Sequence, residues 1–170
     1  MGFKHIGSEG KFRDFTQREE EDVKSIFDDL KLTHGDYSEV YRIEGVYHTL
    51  KLNTAEAIKS FQLAIQLQKN YQNTYYFFSD ALLTLQEFDL LLTHARETVK
   101  LFPEFLDAAR WLLMAKVFNN QYDEESEKMY ATVDSMLYQK LKYPMKYKRK
   151  LGMMLVRYHL DKAEYFVVKQ

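Results

Sequence analysis

The chain repeats itself at an interval of 34 residues, and that period limits the folds open to it more than any other feature. Three windows align, 38–71, 72–105 and 106–139. Each reads as two amphipathic helices joined by a tight turn. The register is clearest in the second half of each window. There Thr54-Ala55-Glu56-Ala57, Phe88-Asp89-Leu90-Leu91 and Tyr122-Asp123-Glu124-Glu125 fall on the same positions. A helix pair of this size cannot bury its apolar face alone, so successive pairs stack. The period therefore predicts an all-α fold, an α-solenoid of stacked helix pairs with a concave surface. Turns are expected near Asn53, Glu87 and Gln121.

Composition agrees with long helices and short connections. Six Gly and two Pro in 170 residues are few for a sheet protein, which needs turn residues between strands. The chain has no cysteine, which excludes disulfides and thiolate metal sites. Its formal net charge of -1 calls for neither nucleic acid nor an anionic membrane. No apolar run reaches the length of a membrane span and no secretory signal is visible, so a cytoplasmic protein is expected.

Residues 1–15 show no periodicity and are expected to be loose. Thr16 followed by Glu19 forms a capping-box pattern, and Val23, Ile26, Phe27 and Leu30 make one apolar face behind it. Gly35 stands where that helix should stop. The segment 16–37 therefore reads as a cap helix ahead of the three pairs at 38–139. In the first pair Tyr41, Gly45 and His48 share one side, facing Ala57, Phe61 and Ala64 on the returning helix. A small residue at a helix crossing lets the backbones approach, and an aromatic fills the space beside it. The second pair has Tyr75, Ser79 and Leu82, then Leu91, Ala95 and Thr98, and ends at Leu101 and Pro103. The third departs most, with Ala109, Leu113 and Lys116, then Glu125, Met129 and Thr132. Segment 140–170 reads as a closing cap or a partial fourth repeat, with one helix to about His159 and a second beginning at Leu160.

These positions resemble the tetratricopeptide repeat family. Tyr41, Gly45, Ala57, Phe61 and Ala64 match its pattern in the first window, and Tyr75, Ser79 and Pro103 in the second. The third window matches through Tyr122-Asp123 and the period. The resemblance implies three helix pairs whose leading helices bind a protein or peptide. The family register places Glu39, Arg42, Val46 and Leu50 on the concave face from the first leading helix. It places Asn73, Tyr76, Asp80 and Leu83 there from the second, and Asp107, Arg110, Met114 and Phe118 from the third. Arg42 and Arg110 are of a type that takes a partner's carboxylate in bidentate fashion. Tyr76 and Phe118 are of a type that seats an apolar side chain. The bland alternative is a solvated face with pairs within a helix, such as Arg110 with Asp107. One subgroup of the family clamps a terminal carboxylate with Lys and Asn. Here those places hold Arg42 and Val46, so that specificity does not carry over.

A second candidate is the basic run that includes Lys146, Lys148, Arg149 and Lys150, with Tyr143 and Tyr147 interleaved. It could dock nucleic acid or an anionic surface, although the balanced net charge favours a solvated helix face. The five histidines show no metal-ligand spacing, and neither a phosphate loop nor a nucleophile elbow is present. Adjacent acids such as Glu124 and Glu125 point different ways on a helix and make no acid–base couple. The expectation is a non-enzymatic adaptor, scaffold or chaperone without cofactor or metal. A module docking an anionic surface, or a self-assembling subunit such as a homodimer, stands as the alternative.

Overall fold

The computed structural model describes residues 5–6, 12–13, 15–138 and 145–168, with side chains for 15–135 and 152–168. Helix dominates, consistent with an all-α architecture. The described residues add only two short strands, β1 (His5–Ile6) and β2 (Phe12–Arg13), paired antiparallel with His5 opposite Arg13. The ladder lies where the sequence predicted a loose segment. The chain divides into two compact units, Met1–Leu85 and Gln86–Gln170.

The first unit holds α1 (Gln17–His34), α2 (Ser38–Leu50), α3 (Thr54–Leu67) and α4 (Gln72–Thr84). Thr16 caps α1 as predicted. Its hydroxyl accepts the Glu19 N–H at 3.3 Å, and the Glu19 carboxylate accepts the Thr16 N–H at 2.8 Å. The box satisfies two backbone donors that the helix itself cannot. Phe27 is the buried residue of the α1 apolar face, whereas Ile26 points outward at 57% exposure. Gly35 does follow α1, but at φ -67 rather than in the left-handed conformation of a glycine stop. At the α2–α3 crossing, Ala57, Phe61 and Ala64 are fully buried. A Cβ placed on Gly45 would lie 2.8 Å from the Phe61 ring, so glycine is what lets α2 approach α3 this closely. Behind it, Phe61 stacks on Phe78 of α4 with ring centres 5.2 Å apart.

The second unit holds α5 (Phe88–Leu101), α6 (Leu106–Phe118), α7 (Glu124–Tyr138) and α8 (Met145–Val168). Its core comprises Leu91 and Ala95 of α5, Trp111, Leu112 and Leu113 of α6, Val133 of α7 and Tyr158 of α8, all at most 2% exposed. Two expectations fail here. The period starts the last returning helix at Tyr122, but α7 begins two residues later, where the Asp123 carboxylate accepts the Ser126 N–H at 3.0 Å and caps the helix. The inward face of α7 is accordingly Ser126, Met129 and Val133, while Glu125 is only half-buried. The break expected at His159–Leu160 is also absent. No Pro or Gly interrupts residues 153–168, and α8 runs through as one helix.

The period is written in the backbone. α2, α4 and α6 begin at Ser38, Gln72 and Leu106 and end at Leu50, Thr84 and Phe118, each 34 residues from the last. Two residues beyond each end stands a left-handed residue, Leu52 (φ 58), Gln86 (φ 62) and Asn120 (φ 53). After α2, Leu52 N–H donates to Thr49 O and Asn53 N–H to His48 O; after α6, Asn120 and Gln121 repeat the pattern onto Val117 and Lys116. These paired bonds satisfy carbonyls that the helix end would otherwise leave open. Each turn thus falls one residue before the predicted position.

Candidate binding faces

In the first unit α2 presents Arg42, Val46 and Leu50 at four-residue steps, so all three lie along one side of the helix. α4 packs against both α2 and α3. A cleft of about 180 Å³ opens on this side, lined by Val46, Thr49, Leu50, Phe61, Phe77, Asp80, Ala81 and Thr84. Its floor is apolar. Asp80 is exposed at the margin and brings a carboxylate to it.

Of the residues expected to bind a partner, Val46 and Asp80 meet in this cleft, and Leu50 joins them. Arg42 stands beside it with its charge already engaged. Its Nε donates to Glu39 Oε2 at 3.1 Å, a second nitrogen pairs with the other oxygen, and its guanidinium lies 4.7 Å over the Phe77 ring. The Arg42 hydrogen bond holds the Glu39 carboxyl below its ordinary pKa. Arg42 is therefore a wall of the site, with only 13% of its side chain exposed, rather than an open clamp. Tyr76 is half-buried with its ring edge-on to Phe77 at 5.6 Å, and Asn73 donates to the Tyr71 hydroxyl at 3.1 Å. Neither lines the cleft. Phe77, the aromatic on which the site turns, escaped the sequence reading. The signal was present in the register, since Ile43, Phe77 and Trp111 put a large apolar residue at the same place in every window.

In the second unit Arg110, Met114 and Phe118 follow one another along α6. Arg110 repeats the pairing of Arg42 with an acid three residues earlier, but it covers the next ring of its own helix and not one on another helix. Its Nε donates to Asp107 three residues earlier at 2.9 Å, and its guanidinium lies 3.8 Å over Trp111. Its Nη1 also reaches the Met114 sulfur at 3.8 Å. Phe118 is 43% exposed and stacks on Phe88 at 4.5 Å. Close by, Lys116 is fully buried and donates to both oxygens of Asp123 at 2.7 and 2.6 Å. It also meets Glu125 at 2.6 Å, and Arg96 holds the same Glu125 at 2.7 Å. The Arg96 hydrogen bond, with help from Lys116, draws the Glu125 carboxyl below its ordinary pKa. At Asp123 burial pushes the pKa up, but the Lys116 and Ser126 hydrogen bonds outweigh it and the net shift is downward.

The remaining candidates, Lys146, Lys148, Arg149 and Lys150, lie on α8, and their side chains fall outside those described. Among the described residues, no three His, Asp or Glu side chains gather where they could hold a metal ion. No described helix is long and apolar enough to cross a membrane. Comparison with known proteins returned no matching family model, no matching curated protein and no matching solved structure.

Proposed function

We propose that this chain is a non-enzymatic binding protein built of tetratricopeptide-like helix pairs, which holds a peptide segment against the α2–α4 face of its first unit. The observation that carries this reading is the cleft over Phe61 and Phe77, an apolar floor with a carboxylate at its edge. Such a cleft suits a partner's apolar side chain next to a Lys or Arg, the cation facing Asp80. The floor is preformed, so little ordering falls on the receptor when the segment docks. Arg42 supports the site by pinning Phe77 from the side through ring and charge contact. The groups on view are those of recognition: packed aromatics, engaged arginines and a rim carboxylate.

Selection from a displayed random-peptide library against the intact protein tests it. Enriched sequences should share a large apolar residue within two positions of a basic one. Binding should weaken about tenfold or more on Phe77→Ala, and Asp80→Lys should remove the preference for the basic residue. Enriched peptides that bind Phe77→Ala and Asp80→Lys as well as the parent would refute the placement. Peptides lost instead on charge reversal at Lys146, Lys148 and Lys150 would move recognition to the basic stretch of α8.

A further inference from the structure

The last helix is apolar on both sides. Leu155 and Tyr158 of α8 are buried in the second unit, and Lys162 and Tyr165 are half-buried on the same side. At 100° per residue the opposite side carries Met153, Val156, Leu160, Ala163 and Val167. Met153 is 67%, Val156 59%, Leu160 63% and Val167 73% exposed. Their spacing of three, four, three and four residues is that of the two-per-heptad seam of a helix made to lie along another helix. The strip runs for about 21 Å of helix, taking 1.5 Å per residue.

We propose that this strip pairs with the same strip of a second copy, the two α8 helices running antiparallel. The charges beside the seam select this occupant. Arg157 and Glu164 flank one edge, seven residues apart and of opposite sign. Across a two-fold axis midway between Leu160 and Ala163, an antiparallel mate places Leu160 against Ala163 and Val156 against Val167. The same register sets Arg157 facing Glu164 of the other copy, and Glu164 facing its Arg157. Flanking charges of this kind set orientation and partner choice in paired helices. Arg157 is 69% exposed and also bonds Asp161 within the helix, so it sits at the rim ready to bridge. The contact is self-complementary, as a two-fold interface requires.

Sedimentation velocity of the full chain over a range of concentrations tests this, with circular dichroism to confirm that each variant stays folded. The parent chain should pass from one chain mass to two as concentration rises. Leu160→Glu, or Val156→Glu as a second exposed variant, should hold it at one. Glu164→Arg should weaken association about tenfold or more by opposing two pairs of arginines. Adding Arg157→Glu to Glu164→Arg should restore it, because the pair is then reversed but again complementary. A parent chain of single mass throughout overturns the proposal and leaves the strip to a different partner. So does a dimer that survives both seam variants, or a folded double charge variant that does not regain the dimer.

Discussion

Gly45 and Phe61 show how narrowly one crossing is specified. A methyl group at position 45 would come within 2.8 Å of a ring that is fully buried and stacked on Phe78. Neither ring can swing aside without opening the core. Gly45→Ala should therefore destabilise the protein by about 1–3 kcal/mol, although alanine is the better helix former. Phe61→Ala should remove about 3–5 kcal/mol, the transfer and cavity terms together. Urea denaturation checks both, and a loss under about 1 kcal/mol at Phe61 would mean that the crossing is not packed as described. Leu52 makes the converse case. It holds a left-handed conformation at φ 58 that leucine adopts at a penalty and glycine freely. Leu52→Gly should leave stability unchanged or raise it by up to about 1 kcal/mol, whereas Leu52→Val should lower it. A clear loss on Leu52→Gly would indicate that the half-exposed leucine contributes more through contact than it loses to strain.

At the scale of the element, the link from α6 to α7 rests on a charge arrangement with an unequal dependence on its members. Lys116 is wholly buried, while the side chains of Asp123 and Glu125 keep 53% and 37% of their surface exposed. Removing the lysine leaves two carboxylates that water can reach. Removing both acids leaves an ammonium with neither water nor a counter-charge. Asp123→Asn with Glu125→Gln should therefore cost about 3 kcal/mol or more, and Lys116→Met less than half of that. Asparagine can still cap α7, so the difference isolates charge. Equal losses in chemical denaturation would mean that Lys116 reaches solvent in the native state. This cluster also marks where the sequence stopped being legible. The period placed the helix ends because the same backbone turn recurs at Leu52, Gln86 and Asn120, and it found Phe61 and Ala95 through the volume of neighbouring residues. It could not show that Asp123 would cap α7 and delay its start, since two local signals competed there and the side-chain cap prevailed. Nor could it show that Arg42 and Arg110 would be engaged by Glu39 and Asp107, because an arginine at a groove position looks the same whether its acid lies in the partner or three residues behind.

For the whole molecule, opposite shifts of carboxyl and phenol groups predict stability that falls at both ends of the pH scale. Glu39, Asp123, Glu125 and Glu127 all have folded pKa values below their ordinary ones, 3.8 for the aspartate and 4.5 for the glutamates. The unfolded chain then binds protons first as pH drops. Their contribution is complete above those ordinary values and is lost as pH falls below about 4.5 toward the folded values. Tyr158 has the opposite sign. Burial first, and then its hydrogen bond to Glu127 at 2.6 Å, push its phenol from 10.0 up to about 12. The unfolded chain loses that proton first, so the contribution is complete below 10.0 and disappears as pH rises through about 12. Trp111, the sole tryptophan, is buried in the second unit, which also holds Asp123, Glu125, Glu127 and Tyr158, so its emission follows the unit that carries all of these groups but Glu39. Denaturation followed by Trp111 emission should give a plateau near neutrality with a decline on each side. Tyr158→Phe should lower the plateau by about 1 kcal/mol, the worth of a hydrogen bond, and flatten the alkaline decline while leaving the acid one in place. If Tyr158→Phe declines above pH 10 as steeply as the parent, the alkaline loss belongs to other groups, and Tyr158 does not hold α8 to α7 through its hydroxyl.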